Sequence, residues 1–355
     1  MTTMPIIDSD THVDENDQTW EHVGDESMRP RAGSFNDGAA PRDFWAVDGY
    51  KVHKAKRDEH TNTKTTSDTR ELLDIEARLR DMDELGVDVQ VIYPTIFNRN
   101  PALRSEVELE LTRSYNRWMG ERTAEAAGRL RWVCVLPLCD IGASIDELHS
   151  AKENGACGVL KKGDREADHL VWHDYFFPLY EEVERLDMPI CFHQGTAKVV
   201  LAEPTAARDS DFIDQKAPAI NGIASLLARD VPRQFPTLRF GCLEVAASWV
   251  VMADHMHRRR MANRFERGEA ELAPIGNIFA ENRIWTTCEV DEDFATLLHF
   301  IDEDHLLVGS DYGHNDPSQD HWFVSKLEAL VDEGVLSTDA TQKILSANPT
   351  HFYGL

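Results

Sequence analysis

The chain has 355 residues, and its 63 Asp and Glu against 37 Lys and Arg give a formal net charge of -26. Such a surplus repels polyanions, so neither a nucleic-acid groove nor an anionic membrane surface is an expected partner; small molecules and further copies of the chain, as a dimer, are. The six cysteines, Cys134, Cys139, Cys157, Cys191, Cys242 and Cys288, form no C-x-x-C pair, the start of the chain shows no basic or long apolar leader, and no run reaches the ~18 apolar residues of a membrane span, which together predict a cytoplasmic protein with reduced thiols.

In chain order, a first apolar run at 4–8 leads into I-I-D-S-D-T-H (6–12), and a polar stretch at 14–70 follows, carrying K-V-H-K-A-K-R (51–57). Helical spacing of apolar residues predicts a helix from Glu71 to Leu85, before a strand at 87–93. The alternation then repeats: helix Ser105 to Ala126 and strand 130–136; helix Ile145 to Asn154, after which comes strand 156–161; helix Tyr175 to Leu186 and strand 188–193. Residues 196–220 link that strand to its helix, and strand 238–244, helix Ala246 to Met261, strand 283–289, helix Phe294 to Ile301, strand 305–311 and helix Gln319 to Leu330 complete the pattern. Eight strands alternating with helices predict a TIM-type (β/α)8 barrel, read as one domain over 1–355 with lid-like insertions at 14–70 and 196–220 after strands 1 and 5. The competing doubly wound open sheet lacks a glycine-rich turn after the first strand. Lys51, Lys54, Lys56 and Arg57 read either as a solvated excursion or as cations holding an anionic substrate near the mouth.

Metal-type residues collect at the predicted C-terminal strand ends: Asp8, Asp10 and His12, then His193, Glu244, Glu289 and Asp311, with His314 just beyond. Side-chain alternation turns Asp10 and His12 to one side and leaves Asp8 one layer deeper as a support. Singly, His193 reads as a core histidine, Glu244 as a helix start and Asp311 as a helix cap. Together they are too many ionisable groups to bury without a cation, so a metal centre at the barrel mouth is expected.

Five stretches carry a family resemblance: I-I-D-S-D-T-H, R-L-R-D-M-D-E-L-G-V-D-V-Q-V-I-Y-P-T (78–95), C-F-H-Q-G (191–195), F-P-T-L-R-F-G-C-L-E (235–244) and V-G-S-D-Y-G-H (308–314). In them the chain resembles the amidohydrolase superfamily, in the branch of the aminocarboxymuconate-semialdehyde-type and resorcylate-type decarboxylases. The resemblance implies the barrel, a divalent metal, and metal-ligand and catalytic-aspartate roles for His193 and Asp311. Two positions depart from the family: Asp10-Thr11-His12 stands where His-x-His or Glu-x-His is common, and Glu244-Val245 where a histidine and glycine are. The implied ligand set is Asp10, His12, His193, Glu244 and Asp311, with Asp311, His193 and Glu244 catalytic; three carboxylates to two imidazoles lean toward manganese or iron over zinc.

The implied reaction is non-oxidative decarboxylation or hydrolysis of a small organic carboxylic acid, with Arg99, Arg165 or Arg208 meeting a second anionic group. The alternative is a nonheme diiron monooxygenase on the same fold, hydroxylating a hydrophobic, terpenoid-like acid. Glu289, His314, Glu15 or a carboxylated Lys161 would then serve the second iron, Lys161 and Lys162 being otherwise ordinary surface or anion-binding lysines. The oxygenase accounts better for Glu244. A third class, a metal-free binding subunit, would leave the acidic and imidazole strand ends without a purpose.

Overall fold

Runs such as A-C-G-V-L-K (156–161) and I-C-F-H (190–193) have no polar face to turn to water, and in the computed structural model of the chain both are buried along their whole length. Strands buried on both faces need a layer on each side, which a parallel barrel ringed by helices supplies. The structure describes residues 4–36, 41–54, 65–198, 212–269, 275–314 and 318–355. Lys56, Arg57 and Arg208 lie outside the described residues.

In chain order the strands are β1 (Ile7–Val13), β2 (Arg31–Asn36), β3 (Pro41–Val47), β4 (Tyr50–His53), β5 (Val89–Pro94), β6 (Leu130–Cys134), β7 (Ala156–Lys161), β8 (Ile190–His193), β9 (Phe240–Leu243), β10 (Ile284–Thr287) and β11 (Leu306–Leu307). An eight-stranded sheet runs β1-β5-β6-β7-β8-β9-β10-β11, and its neighbours pair in parallel. It closes where β1 meets the segment after β11. Ser9 N donates to Val308 O at 3.0 Å, Asp311 N to Asp10 O at 2.9 Å and His12 N to Tyr312 O at 2.7 Å.

Three features differ from the sequence expectation. The first strand does not stop at Asp8 but runs to Val13, so D-S-D-T-H is itself strand, buried throughout, with a register shift between Asp8 and Thr11. Asp8, Asp10, Thr11 and His12 can stay in this strand because their side chains meet Ser310, His193, Val91 O and Pro94 O respectively. Helix starts follow caps rather than apolar spacing: Asp74 accepts from Ala77 N and starts the helix at Ile75, and Asp140 accepts from Ala143 N and starts the next-but-one at Ile141. Finally, the 14–70 excursion contains a three-stranded antiparallel sheet, β2-β3-β4. Its buried Trp45 meets Trp20 edge-on at 5.8 Å, and Trp20 in turn lies 6.3 Å from Phe97 just past β5, which anchors the small sheet to the barrel.

Arg78, fully buried on the helix Ile75–Leu85, stitches this closure together. Its Nε donates to Gln90 Oε1 at 2.7 Å, one terminal nitrogen reaches His12 O and Thr69 O at 3.3 Å each, and the guanidinium lies 3.6 Å over the Tyr312 ring. Arg78→Met keeps the stem but strands buried acceptors on β1 and β5, at a cost on the order of 3 kcal/mol. A urea midpoint equal to that of the parent protein would show that the guanidinium is not needed for closure.

Candidate metal centre

Strand β1 brings Asp10 and His12 to the mouth, β8 ends on His193, Glu244 directly follows β9, and Asp311 and His314 follow β11. Glu244 and Asp311 both have left-handed backbones, with φ of 56° and 51°. That conformation is costly for residues with a side chain and persists where the surroundings fix it. Here Thr287 Oγ1 accepts from Glu244 N at 2.8 Å, and the closing bond to Asp10 O holds Asp311 N. Turning the chain left-handed just past the strand end re-aims each carboxylate into the mouth.

The imidazoles are oriented from behind. Nδ1 of His12 lies 3.2 Å from Pro94 O, and Nδ1 of His193 lies 3.0 Å from Gln194 O. A carbonyl oxygen can only accept, so each Nδ1 carries a proton and each Nε2 faces inward, the arrangement of metal-binding histidines. His193 Nε2 is 3.0 Å from Glu244 Oε2 and 3.2 Å from Asp10 Oδ1. His12 Nε2 is 3.5 Å from Glu244 Oε2 and 3.6 Å from both Asp10 Oδ1 and Asp311 Oδ1. His314 stacks on His12 with ring centroids 3.6 Å apart and places Nδ1 at 2.7 Å from Asp311 Oδ1.

Neutral Nε2 lone pairs pointed at buried carboxylate oxygens repel them, so something positive has to stand between. A proton can do so: burial opposes charging His193, but Asp10 and Glu244 outweigh it and lift its pKa to about 9. Burial likewise raises Glu244, against the pull of His193. A divalent cation meets the same need with more donors satisfied. Two overlapping groups have ligand atoms all within 4.8 Å of one another, Asp10, His12, His193 and Glu244 in one and His12, Glu244, Asp311 and His314 in the other. The donor set therefore fits a hard or borderline ion.

The structure thus gathers Asp10, His12, His193, Glu244 and Asp311, adds His314, and leaves the other expected second-metal residues elsewhere. Glu15 accepts from Thr95 N and Ile96 N at 2.9 and 3.0 Å, its carboxyl pushed up to about 7 by burial, and so serves as an anchor for the chain after β5. Lys161 Nζ is 2.9 Å from Glu166 Oε2 and 3.6 Å over the Phe176 ring, a buried ion pair behind the strand end rather than a bridging ligand. Lys162 Nζ lies 3.9 Å from the same Glu166. Glu289 pairs with Lys216 at 3.3 Å.

Among the cation candidates, Arg99 and Lys54 line a small pocket with Asp14, Glu15, Trp45 and Thr95, while Arg165 and Lys162 line another beside Phe97, Leu136 and Leu160. Lys51 sits over the Phe35 and Phe44 rings of the small sheet. Sequence reading missed Gln194 and Ser318, both of which donate to Glu244 Oε1, Ser318 at 3.2 Å. Gln194 lies inside C-F-H-Q-G, but only the fold shows what it touches. Asp8 is a support, as expected: it accepts from Ser310 N at 2.8 Å and Ser310 Oγ at 2.6 Å.

A family model described as Amidohydrolase matches residues 7–355. No curated protein matches the chain. Among solved structures, an amidohydrolase from Mycobacterium avium subsp. paratuberculosis K-10 superposes with a TM-score of 0.78 at 16% identity, over 100% of this chain and 99% of that one. The 5-carboxyvanillate decarboxylase of Novosphingobium aromaticivorans DSM 12444, complexed with manganese and 4-hydroxy-3-methoxy-5-nitrobenzoic acid, gives 0.63 at 17% identity, over 79% of this chain and 80% of that one. A 2,6-dihydroxybenzoate decarboxylase complexed with 2,6-dihydroxybenzoate also gives 0.63, at 16% identity over 99% and 100%. These likenesses show the shared fold. Among the described residues no helix is long and apolar enough to cross a membrane.

His193→Ala and Asp10→Ala each remove an inward-facing donor and should lower bound metal, read by element-resolved mass spectrometry on protein purified without chelator. Glu244→Gln, which keeps volume and loses charge, should do the same. Full metal content in all three variants would mean that the ion sits elsewhere.

Proposed function

Because the chain belongs to the amidohydrolase family and is a metal-dependent enzyme of that superfamily, we propose that it catalyses non-oxidative decarboxylation or hydrolysis of a small organic carboxylic acid at the β1, β8, β9 and β11 strand ends. The observation that carries the reading is the convergence of Nδ1-anchored imidazoles and buried carboxylates at the C-terminal mouth of the barrel, where such enzymes work. The named decarboxylases act on aromatic acids, which makes hydroxylated benzoates the first substrates to try. We read the chain as one domain over 1–355, of which the family model matches 7–355.

Asp10, His12, His193 and Glu244 would hold a divalent ion of the manganese, iron or zinc class. When bound, that ion supplies a Lewis acid for an oxygen of the substrate. Asp311 is the proton carrier in this reading, because His314 and Ser318 approach its two oxygens, at 2.7 Å on Oδ1 and 3.5 Å on Oδ2, and fix its direction. In decarboxylation the carbon–carbon bond breaks, carbon dioxide leaves, the electron pair stays on the substrate carbon, and Asp311, protonated beforehand from water, delivers that proton to it and is left as the carboxylate. In hydrolysis the same carboxylate instead takes a proton from the attacking water as its oxygen bonds to the substrate's acyl carbon, and returns that proton to the leaving group as the bond to it breaks.

A second reading, oxygenation at two irons, would draw on the donor group of His12, Glu244, Asp311 and His314, which shares His12 and Glu244 with the first group. Against it stand the partners that already engage Glu15, Lys161 and Glu289. Metal quantitation on anaerobically purified protein separates the two: about one ion per chain supports the lyase or hydrolase, about two irons the oxygenase.

Asp311→Asn keeps shape and an acceptor oxygen but cannot carry the proton, so turnover should fall on the order of 100-fold while metal content changes little. Turnover of a hydroxybenzoate at the parent rate, at full metal loading, would remove Asp311 from the chemistry.

A further inference from the structure

We infer that Gln194 is a positioning residue that selects which oxygen of Glu244 faces the bound ion. The inference rests on the metal-centre reading above. Gln194 follows the last residue of β8 and is 7% exposed. All of its polar groups that are seen to bond point to the same corner of the site. Its backbone N donates to Leu243 O at 3.2 Å, the residue before Glu244; its carbonyl accepts from His193 Nδ1 at 3.0 Å; its side-chain amide donates to Glu244 Oε1. One residue therefore touches two metal-facing side chains on adjacent strands.

The side-chain bond matters because a carboxylate has two equivalent oxygens and Glu has three torsions with which to exchange or withdraw them. A histidine ring at this strand end would have no such freedom. At Glu244 the left-handed backbone fixes where the side chain starts, and the amide of Gln194 together with the Ser318 hydroxyl, 3.2 Å away, fixes where Oε1 ends. Oε2 is then held 3.0 Å from His193 Nε2 and 3.5 Å from His12 Nε2, at the centre of the donor group. A carboxylate oxygen can only accept, so the amide must turn its NH2 toward Oε1 and leave Oε2 to the ion.

The placement of Gln194 is itself imposed by the chain that follows. Gly195 has φ 140°, and a Cβ there would stand 2.0 Å from Asn98 O. Thr196 N donates to the same Asn98 O at 2.8 Å, and Gly195 N donates to Gln215 O at 2.9 Å. Only a glycine lets the chain pass this close to residue 98, and the resulting bend leaves the Gln194 carbonyl at Nδ1 of His193 and its side-chain amide on Glu244 Oε1.

The test uses the full-length protein stripped of metal, titrated with Mn²⁺ by calorimetry, with the electron paramagnetic resonance spectrum of bound Mn²⁺ as a second readout. Gln194→Met preserves length and removes the donor. It should weaken Mn²⁺ binding about 10- to 100-fold and alter the spectrum, with the melting midpoint of the metal-free protein close to that of the parent. Combined with Glu244→Gln it should weaken binding no further than Glu244→Gln alone, because both changes remove one interaction. Should Gln194→Met not fold, Gln194→Asn, which keeps the amide but falls a methylene short, gives the same expected loss and decides the matter. Parent-like affinity and spectrum in the folded variant overturn the inference while leaving the metal centre intact. A parent protein that binds none of Mn²⁺, Fe²⁺ or Zn²⁺ overturns the metal reading itself, and this inference with it.

Discussion

The site depends on the backbone hydrogen bonds that close the barrel between β1 and residues 308–312. Without them Asp10 and His12 would lie on an open sheet edge, far from Asp311 and His314. With them the edge disappears, and the side chains that alternate inward along β1 are pressed against those that follow β11. The closure is reinforced below the site by Asp8 on Ser310, where burial pushes the Asp8 carboxyl up to about 7, and beside it by Arg78. These polar contacts inside an otherwise apolar barrel hold one register of β1, the register in which Asp10 and His12 share a face.

Once that register is fixed, electrostatics governs the remainder. Three carboxylates and three imidazoles are drawn together out of contact with bulk solvent, where each uncompensated charge is expensive. The carbonyls of Pro94 and Gln194 accept from the Nδ1 groups, which turns the two β1 and β8 histidines into inward-facing acceptors and leaves the space between them and the carboxylates suited to a proton or a cation. A centre built in this way is assembled from behind. The atoms that decide its chemistry are backbone oxygens and amides one layer out, on segments whose own shape is set by glycine at 195 and by left-handed turns at 244 and 311.

Much of this was legible in the sequence. Alternating apolar runs and amphipathic segments announced the strands in their order, and strand-end acids and histidines named most of the cluster, because period-two alternation and barrel geometry carry residues to a common mouth. Three things were hidden. The polar S-D-T-H lies beyond the apolar run expected to form the first strand, and only its partners across the closure extend that strand to Val13. Lys161, Glu15 and Glu289 sit at or near strand ends just as the cluster residues do, but linear position does not say whether a side chain faces the axis, the helices or a neighbouring loop; Glu166, the amides after β5 and Lys216 respectively claim them. Gln194 was within a quoted motif and remained mute, since an amide has no pattern of its own until its neighbours are placed.

The bond from Ser310 N to Asp8 spans 302 residues of sequence, and Tyr353, in the last helix, donates its hydroxyl to Ser9 O at 2.8 Å. Contacts of such separation carry nearly the full entropic cost of ordering the intervening chain before they return anything. The cluster consequently cannot exist in a partly made chain. During synthesis Asp8 lacks its Ser310 partner and the cluster lacks Asp311 and His314 until residues 308 onward have emerged, so the complete donor set forms only at the last stage of folding. Any lesion that delays docking of the final strand and helices will leave a chain with most of its secondary structure and no place to put an ion.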